Sequence, residues 1–332
     1  MDMPKPKLLI FIPCHKDYEM AFKNAEKLAN QISNLVNPNL EIEITISING
    51  VKSIDSSCNF PSTRIIQIEE VVGGDANIAK GYVTALETRP DYFWILSANE
   101  DLVPNALMNL QELFMDYPDA DLFVANADNR KGALSIKNVF FGLPSKLALG
   151  LISGVVYNFR TTSTSFMQST LFSWTGWGQL AVIQDILTVN DYSKVIEFPD
   201  SYIYEKPYTY SPEANNGIGE RTIVSNLYAH SFFGLPVLAY CMLQSNPKYL
   251  KRFQREWLTH NWFKLGLFSK NATFGDELTL KRSGWIKSIA DDSFRRFRTI
   301  QIWYRLCSCI SIDRYQSNPT AKKFLNIYKS KL

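Results

Sequence analysis

The sequence predicts an α/β chain: a mostly parallel sheet with helices on both faces, followed by a helical, basic C-terminal segment. Three observations predict it. Strand-like and helix-like runs alternate from Lys7 to Ala127, and most connections are long enough for right-handed crossovers, the pattern of parallel strands. Two strand-like runs, Lys7 to Pro13 and Tyr92 to Leu96, are apolar without alternation, as in strands covered on both faces. Formal charge is split, about −9 over residues 1–245 and about +12 over 246–332.

In chain order, Lys7 to Pro13 is the first strand and ends at Cys14-His15-Lys16-Asp17. Tyr18 to Val36 carries Met20, Ala21, Ala25, Leu28, Ala29, Ile32 and Leu35 at helical spacing, and Asn37-Pro38-Asn39 stops it. Glu41 to Ile48 alternates as a second strand with Asn49-Gly50 as its turn, and Arg64 to Ile68 is a short third. A helix is expected over Ile78 to Glu87, then the buried strand Tyr92 to Leu96. Pro104, tolerated where its missing N–H costs nothing, opens a helix over Asn105 to Met115. A strand follows at Asp121 to Ala127. Beyond Asn129 regularity fades: Lys131 to Leu143 reads as a long loop, Ser153 to Asn158 as a short strand, Gly178 to Thr188 as a helix, and the chain from Asn246 onward as helical.

With 332 residues the chain has ample core for one large domain and a smaller appendage. Three segments are expected: 1–128 and 129–245 as the two halves of the α/β domain, and 246–332 as the basic helical segment. Met1 to Lys7 is too short for a leader, and the longest apolar stretches, near Leu147 to Tyr157 and Phe232 to Leu243, fall short of the ~20 residues of a spanning helix. A cytoplasmic location, peripheral on the inner membrane face, is the expectation. Five cysteines without zinc-type spacing read as free thiols of a reducing compartment.

The basic segment interleaves Trp257, Trp262, Phe263, Trp285, Phe297 and Trp303 with Arg252, Arg255, Lys264, Arg295, Arg296 and Arg298. Basic and aromatic residues mixed on helices suit an anionic membrane surface, and equally the solvated face of a helical subdomain. Nucleic acid is disfavoured because no reading motif stands there.

The strand at Tyr92 delivers Ser97-Ala98-Asn99-Glu100-Asp101 to its carboxyl end, where open α/β sheets bind ligands. Hard oxygen donors there suit a divalent cation, and the cation suits a departing diphosphate. A solvated acidic turn before a helix is the plain alternative.

Four segments now stand in order: Phe11-Ile12-Pro13-Cys14-His15, Ser47-Ile48-Asn49-Gly50, Gly74-Asp75-Ala76-Asn77-Ile78-Ala79-Lys80-Gly81, and Trp94 to Pro104. Together they resemble the inverting GT-A-fold (Rossmann-like) glycosyltransferases of family 2, in particular the branch of abequosyltransferase-like and other bacterial surface-polysaccharide transferases. The resemblance covers Lys7 to Leu107 and thins to Ser153-Gly154 and Trp174 to Leu187. It implies a nucleotide diphosphate sugar donor, a glycan or lipid-linked oligosaccharide acceptor, and Mg²⁺ or Mn²⁺. Pro13, Cys14, His15, Asn49, Asp75, Asn77, Lys80 and Ala98 fall where the nucleotide would lie, and Asn99, Glu100 and Asp101 where the metal would. Two departures stand out. Ile48-Asn49 replaces the usual base-reading Asp, and Asn99-Glu100-Asp101 replaces the usual acidic motif, with less formal charge.

An inverting transfer needs a carboxylate to deprotonate the acceptor hydroxyl. Ser173 to Gln179 resembles the aromatic, Gly-rich acceptor loop, yet no Glu-Asp pair follows it; Asp185 is the first choice for the base, with Glu213 and Glu220 as alternatives. Trp174 and Trp177 suit sugar stacking or core packing alike. Among the histidines only His15 lies at the expected site; His230 and His260 read as packing residues. Gly73-Gly74 has no Gly-Lys-Ser/Thr behind it, and no nucleophile elbow supports a hydrolase. A different class fits the eroded acidic motif: a GT-A-like binding module of a polysaccharide assembly complex, without catalysis.

Overall fold

The computed structural model describes residues 5–15, 18–35, 39–52, 62–70, 72, 74–126, 131–141, 149, 152–205, 235, 238–253 and 256. Two compact units divide the chain, Met1–Tyr210 and Ser211–Leu332. The first is built on one sheet of eight strands: β1 (Lys7–His15), β2 (Glu41–Asn49), β3 (Thr63–Ile68), β4 (Tyr92–Ile95), β5 (Leu122–Asn126), β6 (Gly132–Ser135), β7 (Val155–Asn158) and β8 (Lys194–Pro199), in the order β3-β2-β1-β4-β7-β5-β8-β6. Strands β1 to β5 and β8 run one way; β7 is antiparallel to β4 and β5, and β6 to β8. The mixed, mostly parallel α/β class expected from the sequence is the class observed.

The helices are α1 (Tyr18–Asn34), α2 (Gly74–Thr88), α3 (Ala106–Asp116), α4 (Ile136–Phe141), α5 (Phe159–Thr162), α6 (Met167–Leu171) and α7 (Gly178–Val189). Alternate residues of β1 explain the layering. Leu8, Ile10 and Ile12 join one buried cluster with Ala21, Ala25 and Leu28 of α1 and Leu107, Leu110 and Phe114 of α3. Phe11 faces the opposite side, where a Cβ on Gly81 of α2 would stand 2.7 Å from its ring, so this glycine permits the close approach of α2 to the sheet. On that side Tyr82, Phe93, Tyr157 and Phe166 pack edge to face or tilted, with the buried hydroxyls of Tyr82 and Tyr157 hydrogen-bonded at 2.8 Å. Each fully buried apolar side chain contributes roughly 1.5–3 kcal/mol, so these two layers hold the sheet rigid beneath its loops.

One sequence expectation changes, and two features stand beside it. Residues 131–141, expected as loop, form β6 and α4. Strand β8 stands where the sequence showed no regular pattern, because Glu197 is buried in the middle of an otherwise apolar run. The two expected halves, divided at residue 128, share one continuous sheet, and the first compact unit ends at Tyr210.

In the second unit, residues 238–243 and 247–253 are helical, with the Asn246 side chain accepting a hydrogen bond from the Tyr249 N–H at 3.3 Å as an N-cap. Most of the basic segment lies outside the described residues. Among the described residues no helix is long and apolar enough to cross a membrane.

Candidate functional site

Strand β1 is followed by β2 on one side and has β4 on the other, so the sheet carries a topological switch point between β1 and β4. Ligands of open α/β sheets lie outside the carboxyl ends of the strands at such a point. The residues that reach this edge are Cys14 and His15 from β1, Asn49 from β2, Ser97 to Asp101 beyond β4, and Asp200 beyond β8; Ser153, leading into the reversed β7, arrives at the same edge.

At the tips of β1 and β2 the polar side chains are buried amides. Asn77 in the first turn of α2 donates to the carbonyls of Cys14 and Ser47, each at 3.1 Å, and accepts from the Ser47 hydroxyl at 2.6 Å. Asn49 donates to the same Cys14 carbonyl at 3.0 Å. Both are 1–2% exposed. Asn49 and Asn77, expected beside the nucleotide, tie the ends of two strands together and fix the Cys14 backbone.

Beyond β4 the chain leaves the sheet through a turn in which the Glu100 N–H donates to the Ser97 carbonyl at 3.2 Å. One face of α1 grips the segment from Ala98 to Leu107. Asn24 donates to the Ala98 carbonyl at 2.9 Å; Gln31 donates to the Val103 carbonyl at 2.8 Å and accepts from the Leu107 N–H at 3.0 Å. Between them Lys27 pairs with the Asp101 carboxylate, holding its pKa below the usual value. Residues 24, 27 and 31 lie on one helical face at i, i+3 and i+7, a spacing legible in the sequence whose partner was not.

The chain after β8 covers the other flank. Leu102 and Tyr204 form an antiparallel bridge, the Glu205 N–H donates to the Asp101 carbonyl at 2.8 Å, and Val103 donates to Ile203 at 2.9 Å. Ser153 is the buried hub of this corner. Its carbonyl accepts from Trp94 Nε1 at 2.9 Å and from the Tyr204 hydroxyl at 2.5 Å, and its hydroxyl oxygen accepts from the Ser97 N–H at 2.9 Å. The Ser153 side chain also bonds to Glu100, whose carboxyl burial pushes up in pKa. Burial raises the Tyr204 hydroxyl far more, with the charges of Glu100 and then Asp200 adding to it. Burial also raises Asp200, which the sequence pattern did not mark: a carboxylate just past a strand that showed no pattern of its own.

The remaining predicted residues lie on several elements. Pro13 and Cys14 lie in β1 beside Ser47 and Ile48 of β2. Asp75 and Lys80 are half-buried on α2. Asp185 sits two turns into α7, accepting from Gln168 Nε2 at 3.3 Å. Trp177 precedes α7 and is half-buried. Glu213, Glu220 and the side chains of His15 and Trp174 lie outside the described residues.

No protein-family model matches the chain, and no curated protein sequence matches it. Solved structures do. S. aureus TarS 1-349 is 12% identical over 94% of this chain and 91% of its own, with a TM-score of 0.48. Its complex with UDP-GlcNAc aligns over 94% and 92% at 12% identity, TM-score 0.45. The mannosyltransferase PcManGT from Pyrobaculum calidifontis, in complex with GDP-Man and Mn²⁺, is 11% identical over 92% and 87%, TM-score 0.40. None of these likenesses assigns a ligand to this chain.

The residues expected to hold Mg²⁺ or Mn²⁺ do not converge. Asp101 turns to Lys27 on α1, Glu100 turns to Ser153 before β7, and Asn99 is exposed. Among the described residues no three His, Cys, Asp or Glu side chains come together as a metal site. A hard divalent cation held by one or two carboxylates together with phosphates and water would have to displace Lys27 from Asp101.

Proposed function

We propose that the chain transfers a sugar from a nucleotide diphosphate sugar to a glycan or lipid-linked oligosaccharide acceptor, with inversion, in bacterial surface polysaccharide synthesis. One observation carries the reading: the β1 and β4 segments that resemble family 2 transferases end side by side at a topological switch point, the place where open α/β sheets bind their ligands. Asn49 and Asn77 fix the Cys14 backbone on one side of that point, and Ser97 is tied to Ser153 on the other.

In the proposed reaction the acceptor hydroxyl attacks the anomeric carbon opposite the leaving group. Its C–O bond forms as the bond to the diphosphate breaks; the electron pair leaves with the nucleoside diphosphate, and the acceptor's proton passes to a carboxylate. Asp200 is the base we favour over Asp185. It stands at the carboxyl edge itself, just past β8, and burial raises its pKa, which strengthens it as a proton acceptor. The basic C-terminal segment would hold the protein on an anionic membrane, where a lipid-linked acceptor resides.

A thermal-shift screen of UDP-, GDP-, CDP- and dTDP-sugars tests the donor, followed by sugar release with acceptor extracts. Stabilisation by one nucleotide together with release of its sugar is the expected result, and no stabilisation by any of them would refute the reading. Stabilisation without release would instead support a binding module, the second reading, favoured by the engaged and diverging carboxylates of the acidic motif.

A further inference from the structure

A charged rim that faces a diphosphate needs positive charge, and the described residues supply it from within. We propose that the Lys27 ammonium takes the place of a divalent cation on Asp101, so that nucleoside diphosphates bind this edge without metal. The inference deepens the proposed function and rests on it.

Four observations converge. The Lys27–Asp101 pair is partly shielded, with side chains 31% and 46% exposed, and it sits between two backbone clamps from the same helix face, Asn24 on Ala98 and Gln31 on Val103 and Leu107. The ammonium therefore meets the carboxylate on a loop already seated against α1. Lys23, one turn earlier, adds a weaker positive field at the same carboxylate. The Asp101 carbonyl, which could otherwise add an oxygen donor, is taken by the Glu205 N–H. Finally, Glu100 bonds to Ser153 while Asp101 goes to Lys27, so the two neighbouring carboxylates meet different partners. Asp101 is on this account a positioning residue that fixes residues 98–107 on α1.

Calorimetry on the full chain decides it, titrating the four nucleoside diphosphates UDP, GDP, CDP and dTDP in EDTA and again in Mn²⁺, while the electron paramagnetic resonance of free Mn²⁺ is followed with the protein alone. The proposal expects the same nucleotide to bind in both buffers with dissociation constants within about twofold, and the free Mn²⁺ signal to stay undiminished. In Lys27→Met the nucleotide's affinity in EDTA should fall about tenfold, and unchanged affinity overturns the proposal. Nucleotide binding that appears only with Mn²⁺, or loss of the Mn²⁺ signal with the parent protein but not with Asp101→Asn, overturns the proposal and leaves sugar transfer standing. Failure of all four nucleotides in both buffers overturns it together with the reading beneath it.

Discussion

The two halves of the carboxyl edge use polar side chains in opposite ways. At the tips of β1 and β2 they are uncharged amides, buried and committed to backbone carbonyls. At the tip of β4 they are carboxylates, partly exposed, each meeting a side-chain partner from a distant element. A buried amide left without its partners costs its full desolvation, so it is confined to one geometry. An exposed ion pair is worth little and exchanges partners cheaply. The first half therefore behaves as scaffold and the second as the part able to respond to a charged ligand.

The largest test of that contrast is Asn77→Ala, which strips hydrogen bonds from two carbonyls and a hydroxyl at once and should cost about 2–4 kcal/mol in urea unfolding. A variant as stable as the parent would erase the scaffold half. Next is Asp200→Asn, expected to lower turnover about 100-fold with the unfolding midpoint and donor affinity unchanged; a parallel loss of stability would make it another structural residue. Ser153→Ala lies on the boundary: it orphans the Ser97 N–H and frees Glu100, and a loss of about 1–2 kcal/mol on chemical denaturation is expected.

The smallest effect belongs to Lys27→Met, below about 0.5 kcal/mol at neutral pH because the pair is part exposed and screened. Its pH dependence has a definite sign. The folded-state pKa of Asp101 is lowered, so the contribution is present above the unfolded value and disappears as pH falls through the folded one; parent and variant should converge in acid. Curves that converge at high pH instead would show that some other group carries the effect.

Much of the first half was legible in the chain. Lys7 to Pro13 and Tyr92 to Leu96 are apolar throughout because both sheet faces are covered, and α1 and α3 follow their apolar spacing to within a residue or two. Strand β6 escaped because Gly132-Ala133-Leu134-Ser135 is an exposed edge strand with nothing to alternate, and its state comes from pairing with β8. The amides were visible as polar residues near strand ends. Whether such an amide turns outward to a ligand or inward to a carbonyl depends on a neighbouring strand that local pattern does not describe.

Periodicity and apolar runs by themselves determined that the chain is α/β, where its first five strands and three helices lie, and that Ser97 to Asp101 follow a buried strand, because burial by a sheet or a helix leaves its period in the residues. Only the tertiary structure decided that Lys27 meets Asp101 across 74 positions, that Glu100 and Asp101 part company, and that Asp200 reaches the edge. Charge pairing and convergence depend on distances between elements, and those are set by how helices and strands pack rather than by the order in which their residues occur.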